Sequence, residues 1–153
     1  MNKHTKYMKE ALREAEKAKV AGEVPVGAII VCDDIIIARA HNLTETLNDP
    51  TAHAEMQAIT IATNTYGGKY LTKAVIYVTL EPCPMCAAAI NWAQIKGVIY
   101  GASDPKRGYT LFSPGLLHPK CKELGGVLEE ECSKLVTDFF KRVRNDTIRN
   151  NKQ

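Results

Sequence analysis

The sequence predicts an α/β sandwich, in which helices cover both faces of a mixed β-sheet, and two observations predict this class. The chain has 153 residues, of which 45% are hydrophobic and 24% charged, which is ordinary for one globular domain. After an initial hairpin, segments with helical periodicity alternate with short apolar segments, an order that is typical of helices packed on a sheet. We expect a single domain over residues 1–153, with residues 145–153 as a frayed tail.

The N-terminal part is predicted to form a helix followed by a hairpin. Residues 4–21 carry apolar side chains at helical spacing, and Gly22 is a typical residue to end such a helix. The apolar runs 28–32 and 35–40 are separated only by Asp33-Asp34, a two-residue turn, so they predict two antiparallel strands.

The rest of the chain is predicted to alternate helix and strand. Residues 52–64 and the alanine-rich residues 84–94 favour helices. Residues 75–79 and 97–100 are short and nearly all apolar, which is typical of strands covered on both faces. A final helix with an apolar stripe is expected from Glu129 to Arg144 or beyond.

The balance of charges and the cysteine count exclude several classes of protein. Lys and Arg number 20 and Asp and Glu 17, so the net charge is only +3 and nucleic-acid binding would need a local basic patch. No apolar run approaches the roughly 18 residues of a membrane span, and the N-terminus lacks the apolar region of a signal peptide, so we expect a cytoplasmic protein without membrane contact. Five cysteines without such a signal argue against a disulfide framework, and Cys32, Cys121 and Cys132 are expected to be small core residues.

Two short motifs, each at the predicted start of a helix, contain residues that bind metals. Pro84 favours the first helical position, which makes Cys83 the N-cap and places Cys86 in the first turn, with both sulfurs on one face. The helix dipole there favours thiolates, the form that binds zinc. His53 would be the third ligand and water the fourth, which leaves a position open for catalysis. Glu55 cannot share the face of His53 and would instead move protons between water and substrate.

Other interpretations of these motifs are a redox dithiol at Cys83 and Cys86 and a purely structural zinc site. A structural zinc site normally has four protein ligands, and the sequence offers no well-placed fourth ligand. The presence of both motifs, each opening a helix, favours a catalytic zinc site.

The pair of motifs, His-Ala-Glu at residues 53–55 and Pro-Cys-Pro-Met-Cys at residues 82–86, is similar to the known signature of zinc deaminases in the cytidine deaminase superfamily, His-x-Glu with Pro-Cys-x-x-Cys. Within that superfamily, the sequence resembles the bacterial adenosine deaminases that edit tRNA, over nearly the whole chain. The stretches that carry this resemblance are residues 23–28, 48–55, 77–83, 100–102 with Asp104, and 138–140.

The resemblance implies a three-layer α/β/α sandwich with a mixed five-stranded sheet. It also implies one zinc ion per subunit, held by His53, Cys83 and Cys86, and proton transfer by Glu55. The implied reaction is hydrolytic deamination of adenosine to inosine at the wobble position of a tRNA anticodon loop, by a homodimer. A base that is already unstacked in a loop enters a deep pocket at small cost, which suits this substrate.

The resemblance further implies residues for substrate binding. Asn42 would hydrogen-bond the purine, although it could equally be a turn former, and Asp104 would contact a ribose, although it could equally form only an Asx turn. Val26 and Leu80 would be walls of the substrate cavity, and Ala54 and Pro82 would also bind the substrate. The cations expected on the RNA backbone, for which a solvated surface is the alternative, are Lys106, Arg107, Lys141, Arg142 and Arg144.

Two alternative functions stay open at the level of the sequence. Residues 106–123 differ from the usual pattern of the tRNA enzymes, and residues 81–86 and 89–93 resemble free-base guanine deaminases. A free purine base or nucleoside is therefore the alternative substrate. The second alternative is a zinc-stabilised RNA-binding subunit without turnover. Such a subunit needs no proton carrier, and the presence of Glu55 therefore favours an enzyme.

Overall fold

The computed structural model describes residues 2–151 and contains one five-stranded sheet with four α-helices. The elements are, in chain order, α1 (Lys3–Val20), β1 (Gly27–Cys32), β2 (Ile35–His41), α2 (Ala54–Tyr66), β3 (Ala74–Leu80), α3 (Pro84–Trp92), β4 (Gly97–Ala102), a 3₁₀ turn (Tyr109–Phe112), β5 (Lys122–Leu124) and α4 (Glu129–Asn151). The strands lie in the order β2-β1-β3-β4-β5. Strand β1 is antiparallel to both of its neighbours, whereas β3, β4 and β5 run parallel, so the sheet is mixed as predicted.

Each face of the sheet has its own core, built from alternating side chains of the same central strands. On one face, Ile30 and Val78 pack with the alanines of α2 and with α3. On the other face, Ile29 and Tyr77 pack with Met8 of α1 and with α4. Two helices therefore cover each face, which confirms the three-layer α/β/α sandwich and explains why the central strands are apolar throughout.

The hairpin and the parallel strands determine at which edge of the sheet the metal-binding motifs lie. Asp33 and Asp34 have φ angles of 52° and 61°, as a two-residue turn of type I′ requires, so β1 and β2 pair as predicted. The parallel strand β3 ends at Leu80, and α3 begins at Pro84 after a short connection. In open α/β sheets, ligands bind beyond the carboxyl ends of the parallel strands, and this edge carries both metal-binding motifs.

Two elements differ from what the sequence predicts. Strand β5 lies at the edge of the sheet, and all three of its residues are exposed. The strand therefore has no apolar pattern from which the sequence could predict it. Helix α4 continues to Asn151, so residues 145–151 are helical rather than a frayed tail, because residues 129–151 contain no glycine or proline. The last two residues of that predicted tail lie outside the described residues. Over residues 2–151, no helix is both long enough and apolar enough to cross a membrane.

Candidate active site

The three predicted metal ligands converge where α2 and α3 begin. His53 is the N-cap of α2, and Cys83 is the N-cap of α3, with Pro84 at the start of the helix and Cys86 in its first turn. Nδ1 of His53 lies 3.6 Å from Sγ of Cys83 and 3.5 Å from Sγ of Cys86. The structure thus brings together two side chains from one helix start and one from another.

The spacing of these ligand atoms fits a tetrahedral zinc ion. With Zn–N of about 2.0–2.1 Å and Zn–S of about 2.3 Å, a nitrogen and a sulfur ligand are separated by roughly 3.6 Å along one edge of the tetrahedron. The distances of 3.5 and 3.6 Å match this edge. No fourth His, Cys, Asp or Glu of residues 2–151 joins the group. Three protein ligands leave one position open, which is the arrangement of catalytic zinc sites.

Of the three ligands, only Cys83 has a pKa shifted towards the protonation state that binds metal. A hydrogen bond from Cys86 lowers the pKa of Cys83 to about 4. Donating this hydrogen bond, together with burial, raises the pKa of Cys86, and the hydrogen bond with Cys83 raises the pKa of His53. Zinc binding would displace the remaining protons, because thiolate and neutral imidazole are the binding forms.

Glu55 lies in the first turn of α2, close to the ligands but outside their group. Its side chain is buried and lines the same cleft as His53 and Cys83. Burial raises the pKa of Glu55 to about 7, and hydrogen bonds with its own backbone N–H and with Cys86 offset only part of this effect. A carboxyl group with a pKa near neutrality can both accept and donate protons, as a general acid–base catalyst must.

A cleft of about 830 Å³ opens in front of these residues. Its walls include five of the predicted substrate residues, namely Val26, Asn42, Ala54, Leu80 and Asp104. The sixth, Pro82, is not among the residues that line the cleft, and its role in substrate binding stays a prediction. Pro82 is buried in the connection between β3 and α3, where its carbonyl oxygen accepts a hydrogen bond from the backbone N–H of Tyr109.

The predicted cations divide into two groups. Lys106, Arg107 and Arg144 line the cleft. Lys141 and Arg142 do not, because they lie on an exposed part of α4, where the Arg142 guanidinium sits 5.9 Å from the ring of Phe139. Any contact of these two residues with RNA would therefore fall outside the cleft.

Asn42 and Asp104, each of which had two interpretations, differ in what surrounds their side chains. Asn42 is only 6% exposed, and over residues 2–151 its Oδ1 is the one buried side-chain N or O atom without a hydrogen-bond partner. Such an atom normally finds a partner, so it marks a place where a ligand can donate a hydrogen bond. Oδ1 of Asp104 accepts the backbone N–H groups of Lys106 and Arg107, so this side chain does form an Asx turn while lining the cleft.

The sequence predicts no role for two buried carboxylates, Glu81, which lines the cleft, and Glu23, which does not. Glu23 accepts hydrogen bonds from the backbone N–H groups of Glu45 and Thr46 and from the hydroxyl of Thr46, which fixes the loop after Asn42. Burial raises the pKa of Glu23, but these hydrogen bonds outweigh it and the net pKa is lowered. Glu81 fixes a second loop in the same manner. The only sequence signal for either residue is an acid at the edge of an apolar strand.

Helix α4 also contributes to the cleft in a way that the sequence did not predict. Ser133, Val136, Thr137 and Phe140 line it together with Arg144, and these positions follow one face of the helix. The sequence predicts the apolar stripe of α4 but no role for it in the cleft. Within it, Cys132 is buried, whereas Phe140 is 42% exposed at the cleft.

Comparison with known protein families agrees with this site. The family model described as the cytidine and deoxycytidylate deaminase zinc-binding region matches residues 1–102, which include His53, Glu55, Cys83 and Cys86. The chain therefore belongs to this family of zinc-dependent deaminases.

Individual relatives narrow the placement within the family. The tRNA-specific adenosine deaminase of Bacillus subtilis (strain 168) is 46% identical over 143 residues, which cover 90% of this chain and 89% of that protein. A solved structure from work on A-to-I editing by tRNA:A34 deaminases at the wobble position of transfer RNA has 44% identity and a TM-score of 0.81, covering 86% of this chain and 99% of that one. A guanine deaminase from Bacillus subtilis has 45% identity and a TM-score of 0.63, but covers only 67% of this chain and 66% of that one. The chain thus groups with the tRNA-specific adenosine deaminases, as the sequence resemblance implied.

Proposed function

We propose that this protein is a zinc-dependent hydrolase that deaminates adenosine to inosine at the wobble position of a tRNA anticodon loop. The observation that carries the proposal is the open three-ligand centre of His53, Cys83 and Cys86, with the buried carboxyl group of Glu55 lining the same cleft. Similarity to tRNA-specific adenosine deaminases supports the substrate. Both halves of the chain contribute strands to one sheet and walls to one cleft, so we assign residues 1–153 to one deaminase domain.

The chain's own residues supply binding and proton transfer. His53, Cys83 and Cys86 would hold the zinc ion, which would supply an activated water for attack on the purine carbon that bears the amino group. Glu55 takes the proton of this water and delivers protons first to the ring nitrogen and then to the departing amine. The C–O bond forms and the C–N bond breaks, so adenosine and water give inosine and ammonia. Asn42 offers its unpartnered Oδ1 to a donor of the bound nucleoside, while Val26 and Leu80 form apolar walls.

The cations at the mouth of the cleft support an RNA substrate over a free base. Lys106, Arg107 and Arg144 line the cleft, and a free base has no phosphate for them to neutralise. Lys141 and Arg142 extend the same positive charge along the exposed part of α4, where neighbouring phosphates could reach them.

Ammonia release tests the reaction and the substrate together. We expect turnover with an anticodon stem-loop that carries adenosine at the wobble position, and little with free adenosine, guanine or cytosine. In Glu55→Gln, the rate should fall by about 10²–10⁴-fold, while zinc content and RNA binding stay unchanged. Preferred turnover of guanine would instead support the free-base alternative. Unchanged RNA binding with no product from wild type would support the non-catalytic subunit.

We also propose that two copies associate through the outer face of α3. Met85, Ala88, Ala89 and Trp92 follow one side of this helix, the first three are partly exposed, and Trp92 is 82% exposed. A tryptophan left in water beside small apolar side chains is typical of a protein interface. Analytical ultracentrifugation should give a dimer for wild type and a monomer for Trp92→Glu. The control variant Val20→Glu changes an equally exposed but isolated apolar residue and should stay dimeric.

A further inference from the structure

A single buried carboxylate, that of Glu81, accepts hydrogen bonds from both ends of the loop at residues 104–110 beside the cleft. Glu81 is 4% exposed and follows directly after β3. Its Oε1 accepts the backbone N–H of Asp104 at 3.1 Å. Its Oε2 accepts the backbone N–H of Thr110 at 3.1 Å and the hydroxyl of Thr110 at 2.8 Å. Hydrogen bonds to a buried carboxylate are among the strong ones, so both ends of the intervening segment are held by one side chain.

The fastened segment, residues 104–110, is here called the cation loop because it carries Lys106 and Arg107, which line the cleft. Its interior is ordered as well, since Oδ1 of Asp104 accepts the backbone N–H groups of both cationic residues. The two cations are therefore attached to a backbone with few alternative conformations. Their side chains remain exposed and free to meet a ligand.

Further contacts show that the cation loop is built around Glu81. A Cβ atom at Gly108 would collide with the carboxylate of Glu81, so only glycine lets the loop approach this closely. The backbone N–H of Tyr109 donates to the carbonyl oxygen of Pro82 at 2.9 Å. The loop thus rests on the same short connection that leads from β3 to the ligand Cys83.

We infer that Glu81 is a positioning residue for RNA, which holds the cation loop so that Lys106 and Arg107 meet the phosphates of the substrate. The inference rests on the proposed RNA substrate and deepens it. Cations on a fixed loop lose little conformational entropy on binding, whereas cations on a mobile loop lose more and bind more weakly. Release of the loop therefore weakens RNA binding without changing the groups that carry out the reaction.

The test changes the loop side of the contact, because Thr110 neither lines the cleft nor contacts the metal ligands. Thr110→Ala removes the hydroxyl that donates to Glu81, Thr110→Ser keeps it, and Glu81→Gln replaces an acceptor oxygen by an N–H donor. Zinc content and thermal unfolding report whether each variant folds. Binding is measured over a range of salt concentrations with a stem-loop that carries inosine at the wobble position, so that no turnover interferes, and kcat is measured with the adenosine stem-loop.

We expect Thr110→Ala to raise Kd by about three- to tenfold with unchanged kcat, Thr110→Ser to restore wild-type affinity, and Glu81→Gln to have a larger effect. The slope of log K against log salt should shrink by about 1.4, since each of two lost phosphate contacts contributes about 0.7 on single-stranded RNA. Unchanged Kd and salt slope in folded Thr110→Ala and Glu81→Gln would overturn the inference. A joint fall of zinc content and kcat would also overturn it, because the contact would then be purely structural. Failure of wild type to deaminate any stem-loop would refute the proposed function instead.

Discussion

Asn42→Ala is expected to raise the stability of the protein while lowering its activity. Oδ1 of Asn42 is buried without a partner, and its Nδ2 reaches only Thr44 Oγ1 at 3.5 Å, the limit of a hydrogen bond. A buried acceptor without a partner costs about 1–3 kcal/mol of folding free energy, and alanine removes this cost. The site opens onto the cleft, so the smaller side chain leaves no enclosed cavity. We expect the free energy of unfolding to rise by about 1 kcal/mol, which is about 2–4 °C in Tm for a chain of this size.

Activity is expected to fall in the same variant because the bound nucleoside loses its acceptor. In the variant, the substrate's hydrogen-bond donor is buried in the cleft without an acceptor. The free-energy cost of this unpaired donor is about the same as the cost of the unpaired Oδ1 in the free wild-type protein. We therefore expect kcat/KM to fall by about 10- to 100-fold, or about 1.4–2.7 kcal/mol of transition-state stabilisation. Ammonia release from the stem-loop measures this fall, and differential scanning calorimetry measures Tm.

Asn91→Ala is the matched control for both measurements. Nδ2 of Asn91 donates to the carbonyl oxygen of Leu116 at 3.1 Å, and Asn91 lies outside the active cleft. Its substitution should lower Tm and leave kcat/KM unchanged, the reverse of the pattern for Asn42. If Asn42→Ala lowered Tm and left activity intact, the assignment of its Oδ1 to the substrate would be refuted.

Three further perturbations test the centre, a loop and the helix packing. Chelation of zinc should abolish deamination and lower Tm, and added zinc should restore both. If Tm stayed unchanged after chelation, the metal site would not help to hold α2 and α3 together. The pKa of Glu23 is lowered below its ordinary value of 4.5, so its contribution to stability is present above pH 4.5 and is lost as the pH falls through the folded-state pKa. Urea unfolding should therefore show a smaller loss of stability below pH 4.5 in Glu23→Gln than in wild type. Equal losses in the two proteins would contradict a stabilising role of the charged Glu23 carboxylate. Gly27→Ala would force a Cβ atom into the backbone of Ala11 and Ala15 and should cost about 3 kcal/mol in urea unfolding. In the control variant Gly68→Ala, the new Cβ atom meets only an ordinary contact with Tyr66 at 3.9 Å, so the cost should be far smaller.

The metal centre could be predicted from the sequence because each of its residues is fixed by local rules. Pro84 sets the start of α3, and this start determines where Cys83 and Cys86 lie relative to each other. His53 likewise precedes its own helix directly. Only the contact between the starts of α2 and α3 depends on residues far apart in the sequence. This contact could be predicted because a catalytic zinc site needs three protein ligands, and the two cysteines supply only two.

The features that the sequence did not predict depend on contacts that leave no local pattern. Glu81 accepts hydrogen bonds from the backbone N–H groups of Asp104 and Thr110, which lie 23 and 29 positions after it in the chain. Every residue except proline has the same backbone N–H, so the sequence does not mark these partners. Strand β5 is three exposed residues at the edge of the sheet, so no alternation of apolar and polar residues marks it. In α4, Phe140 continues an apolar stripe, and only the three-dimensional arrangement distinguishes a cleft wall from a core residue.

The buried glutamates show how one residue type acquires opposite tasks in this fold. Over residues 2–151, four glutamates are buried, and three of them are surrounded by donors: Glu14 by Lys17 and a histidine, Glu23 and Glu81 by loop N–H and hydroxyl groups. Glu55 is the exception, since burial outweighs its hydrogen bonds and raises its pKa to about 7. A carboxylate with enough donors holds a loop in place, and one without them exchanges protons. The same Glu→Gln change should therefore loosen a loop at Glu23 but leave the fold intact at Glu55, where only the proton transfer is lost.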